Sequence, residues 1–314
     1  QRPRKARKVQ SMISKANAPL TVLDILNRTK TFFEKKEVPD ARLDAEYIIS
    51  HGLNMKNRMD LYLNFEKPLT NQELDTLRQL VARRANREPL QHIIGNTSFR
   101  GHIIKCDPRA LIPRPETEDI VDLVKKSVQQ QEFPLIVEIG TGTGAIAISC
   151  AKELEGARVI ATDISKEALS LAKENATANS VQHPKLSFAE GNLLEAVTSE
   201  ILVAAGTVSD AKIDSLVANL PYIPDGKKGT LQPEVDQFDP PLALYGGPDG
   251  LDLVRKLLSQ TEGRMVSGAS IFLEIGSEQA EILKAEASNY PWLSFEQSHK
   301  DYCDNIRFVE YKVK

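Results

Sequence analysis

Apolar residues near the start of the chain recur at the spacing of amphipathic helices. Over residues 20–90 they follow one another at steps of mostly three or four, as at Leu74 and Leu77, which is the period of a helix with one buried face. Thr70 followed by Glu73 matches the capping box that begins many helices. The pattern predicts a small helical domain here.

A short stretch rich in β-forming residues follows this region. In the sequence LQHIIGNTSFRGHIIKCD, two such runs at residues 92–94 and 102–105 are separated by Gly95, Asn96 and Gly101. Glycine and asparagine between two β-rich runs are typical of a hairpin. We therefore predict a β-hairpin linker over residues 91–110.

From residue 111 onward, short apolar runs alternate with helical ones. The candidate strands are LIVEIG (135–140), RVIATD (158–163), KLSFAEGN (185–192), DSLVANL (214–220) and SIFLEIG (270–276). Strands alternating with helices predict a parallel, doubly wound sheet. Two further strands near the end, with no clear helix between them, complete a mostly parallel seven-stranded sheet. We predict an α/β, Rossmann-like domain over residues 111–314.

Composition narrows the class of protein. A chain of 314 residues with 41% hydrophobic content can bury a large core and a smaller one. No apolar stretch approaches the roughly 20 residues of a membrane helix, so we expect no membrane partner. Three cysteines and five histidines are scattered, which favours neither a disulfide framework nor a metal site.

Charge is unevenly distributed. Residues 1–19 carry six Lys or Arg and no acid, and subtracting them from the net charge of −3 leaves −9 for the rest. We predict a disordered basic tail; a remnant of a targeting segment and a nucleic-acid contact stay open. The acidic body disfavours a broad phosphate-binding surface, so direct nucleic-acid binding is not expected.

A glycine-rich turn joins the strand LIVEIG to a helix, an arrangement that lets a ligand lie close to backbone amides. Asp163 ends the next strand, where a carboxylate can accept two ribose hydroxyls. Glu138 would repel a pyrophosphate but attract a cation, and Asn192 offers an amide to an adenine edge. S-adenosylmethionine, a cation without phosphate, is therefore the predicted cofactor. An ordinary βα turn with a dipole-stabilising acid, and a turn role for Asn192, remain alternatives.

The sequence Asn219-Leu220-Pro221-Tyr222 ends another strand and should face the same edge of the sheet. An amide nitrogen is a poor nucleophile and has to be positioned. The side-chain carbonyl of Asn219 and the backbone carbonyl of Pro221 can accept its two N–H protons, and the Tyr222 ring can cover the planar group. Positioning and electrostatics then carry methyl transfer without a dedicated base. A plain strand-ending turn is the alternative.

With these residues in place, the chain resembles the HemK/PrmC family, which methylates N5 of the glutamine in the Gly-Gly-Gln loop of peptide-chain release factors. The resemblance rests on EPLQHIIGNTSFRG (88–101), LIPRPETE (111–118), VEIGTGTGAIAI (137–148), NLPYIP (219–224), DPPLALYGGPDGL (239–251) and LEIG (273–276). Independently of the resemblance, the sequence LIPRPETE is typical of the start of a helix.

The resemblance implies a site, a cofactor and a partner. The cofactor-binding residues would be Glu138, Gly140, Thr141, Gly142, Thr143, Gly144, Asp163, Asn192, Leu193 and Asn219. The catalytic residues would be Asn219, Pro221 and Tyr222, and the acceptor-binding residues would be these three and Leu220. S-adenosyl-L-homocysteine would be the product, and the helical domain would dock a class I release factor. We expect a cytoplasmic monomer, or a mitochondrial or plastid one if the tail is a targeting remnant.

Two departures and three rival functions accompany the resemblance. The family's usual motif is Asn-Pro-Pro-Tyr, where this chain has Leu220, and Asp often stands at the position of Asn192. An N6-adenine methyltransferase acting on rRNA or DNA has related chemistry, but the acidic body argues against it. An NAD-dependent dehydrogenase would need a His or Lys partner for hydride transfer. A silent binding protein would not need Asn219 and Tyr222.

Overall fold

The computed structural model describes residues 19–314, which fall into two compact units that meet in sequence at Ile94 and Gly95. The predictions about the basic tail over residues 1–19 lie outside these described residues, except at Pro19. Within the described part, no helix is both long and apolar enough to cross a membrane.

The first unit is helical. Its helices are α1 Val22–Lys35, α2 Ala41–Gly52, α3 Arg58–Leu63, α4 Asn71–Ala85 and α5 Leu90–Ile94. The capping box between Thr70 and Glu73 begins α4: the Thr70 hydroxyl accepts from the Glu73 N–H at 3.2 Å, and the Glu73 carboxylate accepts from the Thr70 N–H at 2.8 Å. Apolar side chains from these helices form one buried cluster, to which Phe33, Ile48 and Leu77 contribute.

One predicted strand of the hairpin is wrong. Residues 92–94 form the end of α5, whose first turn begins with the carbonyl of Pro89 accepting from the N–H groups of His92 and Ile93, at 3.1 and 3.2 Å. Ile93 is buried in the helical cluster, so tertiary packing overrides the β propensity of isoleucine. Gly95, with φ of +87°, ends the helix. The hairpin instead pairs β1 Asn96–Phe99 with β2 His102–Lys105.

The second unit carries the large sheet. Its strands are β3 Leu135–Ile139, β4 Arg158–Asp163, β5 Leu186–Glu190, β6 Ile213–Ala218, β7 Met265–Glu274, β8 Leu293–Lys300 and β9 Ile306–Val313. Their spatial order is β5-β4-β3-β6-β7-β9-β8. β9 runs antiparallel to both of its neighbours, and the other neighbouring pairs are parallel. The prediction of a mostly parallel seven-stranded sheet is confirmed.

Helices cover both faces of this sheet. They are α6 Asp119–Ser127, α7 Ala145–Glu153, α8 Lys166–Ala178, α9 Ser199–Ala204, α10 Pro233–Phe238, α11 Asp252–Ser259 and α12 Ala280–Glu286. Alternate strand residues enter separate clusters: Val137 and Leu216 belong to one, and Ile136 and Val217 to the other. Two buried faces explain the near-continuous apolar runs of the central strands.

The pairing of β6 with β7 brings polar residues together at the carboxyl edge. Ser215 pairs with Ser270, and the register continues to Ala218 opposite Leu273. Asn219 follows Ala218, and Glu274 follows Leu273, so these two residues lie side by side at the ends of neighbouring strands. Nearer the opposite edge the register shifts, because Ile213 pairs with Met265, so β7 contains extra residues between Met265 and Ser270.

Candidate active site

A cleft opens at the carboxyl edge of the sheet, where ligands of open α/β sheets bind. It has a volume of about 1200 Å³ including the part that opens to solvent. The predicted site residues that line it are Glu138, Gly140, Thr141, Gly142, Thr143, Asp163, Asn192, Leu193, Asn219, Leu220 and Pro221. Gly144 and Tyr222 are not among its lining residues. One cleft thus brings together the residues predicted to hold the cofactor and the acceptor, apart from these two.

The glycine turn is tied to the end of β4. The N–H groups of Gly140 and Thr141 both donate to the carbonyl of Thr162 at 2.9 Å. Gly142 donates to Oδ2 of Asp163, also at 2.9 Å. Gly140 and Gly142 have φ values of +73° and +55°, a region that favours glycine.

Gly144 has a different role from its neighbours in this structure. A Cβ placed on it would lie 3.1 Å from the Cβ of Ala172 on α8, and its φ is +84°. The missing side chain lets the start of α7 approach α8. Gly144 therefore serves helix packing behind the cleft, and a direct cofactor contact by it stays a prediction.

Asp163 has its carboxylate fixed by the backbone. Oδ1 accepts from the N–H of Ser165 at 2.9 Å and Oδ2 from that of Gly142. Burial raises the pKa of Asp163, while these two hydrogen bonds act to lower it. The backbone of Ile164 also acts to lower the pKa of Asp163, so of the roughly four acceptor positions of an ionised carboxylate at least one remains for a hydroxyl group in the cleft. Ile164, which the sequence analysis missed, lies next to it, lines the cleft and is 55% exposed.

Glu138 is a buried acid beneath the glycine turn. Its Oε2 accepts from the Thr141 hydroxyl at 2.6 Å and from the N–H of Ala147 at 3.0 Å. Burial raises the pKa of Glu138 to about 8, against the opposing effect of these hydrogen bonds. A cation bound nearby would favour the charged form and lower this pKa.

The segment after β5 holds Asn192 and Leu193 at the cleft. β5 ends at Glu190, so Asn192 lies beyond the strand it was predicted to end. The N–H of Gly191 donates to the carbonyl of Asp163 at 3.0 Å, which ties this segment to β4. Leu193 has φ of +55°, an unusual value for a residue with a side chain. It lines the cleft while being buried in the apolar cluster of the sheet unit.

The loop 219–222 is braced by a second segment, residues 244–250, which we call the glycine brace. The Ile223 N–H donates to the carbonyl of Leu244, and the Gly246 N–H donates back to the carbonyl of Ile223, both at 3.0 Å. A Cβ on Gly246 would lie 2.2 Å from the carbonyl oxygen of Pro221, and one on Gly250 would lie 2.0 Å from that of Tyr222. Only glycine permits this close approach to the backbone of the loop.

Leu220, the departure from the family motif, connects the two halves of the cleft. Its side chain is 5% exposed, and its Cδ2 lies 3.2 Å from the position of a Cβ on Gly140. Leu220 therefore packs against the glycine turn while Asn219 and Pro221 flank it in the loop.

A buried polar cluster at the end of β7 was missed by the sequence analysis. The Thr117 hydroxyl donates to Oε2 of Glu274 at 2.7 Å, and the side chain of Asn219 acts to lower the pKa of Glu274. Burial and the nearby Glu274 raise the pKa of Tyr222, whereas Arg307 acts to lower it. A signal existed, because LEIG repeats the acid-Ile-Gly pattern of VEIG near the end of a strand.

The comparisons with known proteins first define the class. Residues 24–95 match the family model of the PrmC N-terminal domain, and residues 115–220 match that of ribosomal protein L11 methyltransferase (PrmA). The structure is similar to that of the hMettl16 catalytic domain in complex with MAT2A 3′UTR hairpin 6, with a TM-score of 0.52 and 16% identity, over 74% of this chain and 81% of that chain. The fold is that of a methyltransferase.

Relatives of known name then give the family. The release factor glutamine methyltransferase of Geobacter sulfurreducens is 37% identical over 83% of this chain and 86% of its own length. That of Deinococcus radiodurans is 34% identical over 91% and 96%. The human MTRF1L release factor glutamine methyltransferase is 32% identical over 93% and 87%. The chain belongs to the release factor glutamine methyltransferase family, which confirms the predicted family and enzyme class.

Proposed function

We propose that this enzyme transfers a methyl group from S-adenosylmethionine to the side-chain amide nitrogen of the glutamine in the Gly-Gly-Gln loop of a class I release factor. The observation that carries the proposal is the position of Asn219 and Pro221 in one cleft with the glycine turn and Asp163. Membership of the family supports the same acceptor.

The residues of the cleft fit the proposed cofactor. Asp163 keeps acceptor capacity for a ribose hydroxyl, and the exposed side chain of Ile164 offers an apolar surface for a purine. Glu138 is an acid at this site, and the positive charge of the cofactor would stabilise its ionised form. The other proposed cofactor contacts are Gly140, Thr141, Gly142, Thr143, Asn192, Leu193 and Asn219. S-adenosylmethionine would supply a methyl group activated by its sulfonium.

The acceptor amide would be held by two oxygens. The side-chain carbonyl of Asn219 and the backbone carbonyl of Pro221 accept its two N–H protons, which directs the lone pair of the nitrogen toward the methyl carbon. We propose that Tyr222, the next residue, covers the amide when the acceptor is bound. Leu220 would contribute by packing against the glycine turn. Such positioning accounts for about 7–11 kcal/mol of rate enhancement in favourable cases.

The transfer balances without a dedicated base. A carbon–nitrogen bond forms as the carbon–sulfur bond breaks, and the electron pair of that bond stays on sulfur. The alkylated amide nitrogen is strongly acidic and gives up one proton to water. The chain therefore needs only to orient the nitrogen and to stabilise the developing charge.

The helical unit is the proposed docking element for the release factor. Met59 and Leu63, on α3, are 65% and 78% exposed, so apolar surface is available there for a partner. Monomeric state and cellular location stay predictions from the sequence.

A labelling experiment tests the proposal. Methyl-labelled S-adenosylmethionine is incubated with the enzyme and a release factor, either intact or with the loop glutamine replaced by alanine. We expect label on the intact factor only and a loss of roughly hundredfold or more with Asn219→Ala. Asn289→Ala, which removes an exposed asparagine elsewhere, is the matched control and should behave as wild type. Equal labelling of both factors would contradict the proposed acceptor.

A further inference from the structure

We infer that Glu274 is a positioning residue for methyl transfer: it holds the N–H₂ side of the Asn219 amide, so that the carbonyl side faces the acceptor. The inference rests on the proposed function. Glu274 takes no part in the proposed methyl transfer itself, and it is not one of the described residues that line the cleft.

The geometry follows from the sheet. Asn219 and Glu274 stand one position beyond the paired residues Ala218 and Leu273, at the carboxyl ends of neighbouring parallel strands. Glu274 is 3% exposed, and the Thr117 hydroxyl fixes its Oε2 at 2.7 Å. A buried carboxylate with a fixed orientation therefore lies directly beside the side chain that would grip the acceptor.

The chemistry makes the orientation one-sided. An ionised carboxylate only accepts hydrogen bonds, whereas an asparagine amide has a donating and an accepting side. The Asn219 side chain acts to lower the pKa of Glu274, as an N–H₂ group turned toward a carboxylate does, and this arrangement commits the N–H₂ side to the acid. The carbonyl oxygen is thus left for the acceptor. Without Glu274 the amide could turn around, and its N–H₂ would then oppose the N–H₂ of the glutamine.

Charged and polar groups from several elements surround Glu274. Arg307 on β9 and Thr117 in the 3₁₀ turn Pro115–Glu118 favour its ionised form, while Glu116 and burial disfavour it; burial is the largest effect and raises the pKa of Glu274 to about 7. Arg307 also acts to lower the pKa of the neighbouring Tyr222.

The sign of the pH dependence follows. Above about pH 7 Glu274 is ionised and fixes Asn219. Below this pH the acid carries a proton that it can donate to the Asn219 carbonyl, which stabilises the wrong amide orientation. The kcat/KM for the release factor should therefore fall on the acid side of about pH 7, since it reports groups of the free form that binds the acceptor.

The test compares Glu274→Gln, Glu274→Ala and Thr117→Val at saturating S-adenosylmethionine, which keeps the effect of Glu138 on cofactor affinity out of the profile. Glutamine, like the protonated acid, has a donating as well as an accepting side, so E274Q should show at pH 8 the lowered kcat that the wild type reaches only at acid pH, and it should lose the acid limb; E274A should lose roughly ten- to hundredfold in kcat with little change in KM. T117V removes a hydroxyl that favours the carboxylate, so the acid limb should move up by roughly one pH unit.

The outcomes separate the two claims. If the wild type labels the release factor but E274A keeps its kcat, or if the acid limb is unchanged in both E274Q and T117V, the positioning role is overturned and the proposed function stands. If the wild type labels no release factor, the proposed function fails and the inference with it. Because E274A could fold poorly, Tm and cofactor binding are measured on each variant, and the nearly isosteric T117V decides the question if E274A unfolds.

Discussion

Gly246→Ala should disable the acceptor site without replacing any residue that is proposed to bind the acceptor. The φ of Gly246 lies outside the left-handed region, so alanine introduces no backbone strain there. Its Cβ, however, would lie 2.2 Å from the carbonyl oxygen of Pro221 and 2.6 Å from that of Gly250. Side-chain carbons essentially never approach other atoms within 3.0 Å, so the Pro221 carbonyl has to move by about 1 Å to restore an ordinary contact.

The size of the effect follows from this displacement. The Pro221 oxygen is one of the two proposed acceptors of the glutamine N–H groups, and a misplacement of about 1 Å can reduce a rate by about a hundredfold. Overpacking of this kind also destabilises a fold by about 1–3 kcal/mol. We therefore expect kcat to fall by about a hundredfold while Tm falls by only a few degrees.

Gly226→Ala provides the matched control. Gly226 lies in the same part of the chain, and a Cβ there would meet nothing within 4 Å. Both variants are assayed for label transfer to the release factor, for cofactor affinity and for Tm. G226A should stay within about twofold of wild type in kcat. A folded G246A enzyme with wild-type kcat would refute the assignment of the Pro221 carbonyl, and a loss confined to cofactor affinity would place the effect in the glycine turn instead.

Three further variants test other parts of the site. In urea unfolding without cofactor, Glu138→Gln should be more stable than wild type at pH 8 and nearly equal to it at pH 5. The pKa of Glu138 is raised from 4.5 to about 8, so the free energy of unfolding of the wild type falls as pH rises through that range, by at most about 5 kcal/mol at 1.36 kcal/mol per pKa unit. An equal difference at both pH values would exclude this cause. Gly144→Ala should lose more stability than Gly263→Ala, by about 1 kcal/mol or more, since both have positive φ but only Gly144 has close neighbours; equal unfolding free energies would leave strain as the sole effect. Asp163→Ala should raise the Kd of S-adenosylmethionine by roughly ten- to a hundredfold in calorimetry, and an unchanged Kd would remove Asp163 from the cofactor site.

The sheet could be predicted from the sequence because its central strands are buried on both faces. Runs such as LIVEIG and RVIATD are too apolar to be anything but interior, and each ends on a polar residue or glycine where the chain reaches the cleft. Asp163 and Asn219 were found for this reason. The error at residues 92–94 arose where a short run rich in isoleucine suits either structure, and only burial among helices decides between them.

The support of the site could not be predicted in the same way. The glycines of PPLALYGGPDGL indicated a family resemblance, but nothing local shows that Gly246 and Gly250 meet the carbonyls of the loop 219–222. The sequence does show Glu274 as an acid near the end of a predicted strand. Its relation to Asn219 depends on the register between β6 and β7, which is a long-range property that no single stretch of sequence contains.

That register is set at the far edge of the sheet, by the extra residues between Met265 and Ser270. A deletion of one residue there would draw β7 along β6 by one position and turn each of its side chains to the opposite face. Ile275, an apolar residue, would then stand where Glu274 does. The number of extra residues in β7 thus decides which side chain stands beside Asn219. A change in that number should abolish methyl transfer while the cofactor-binding residues keep their positions.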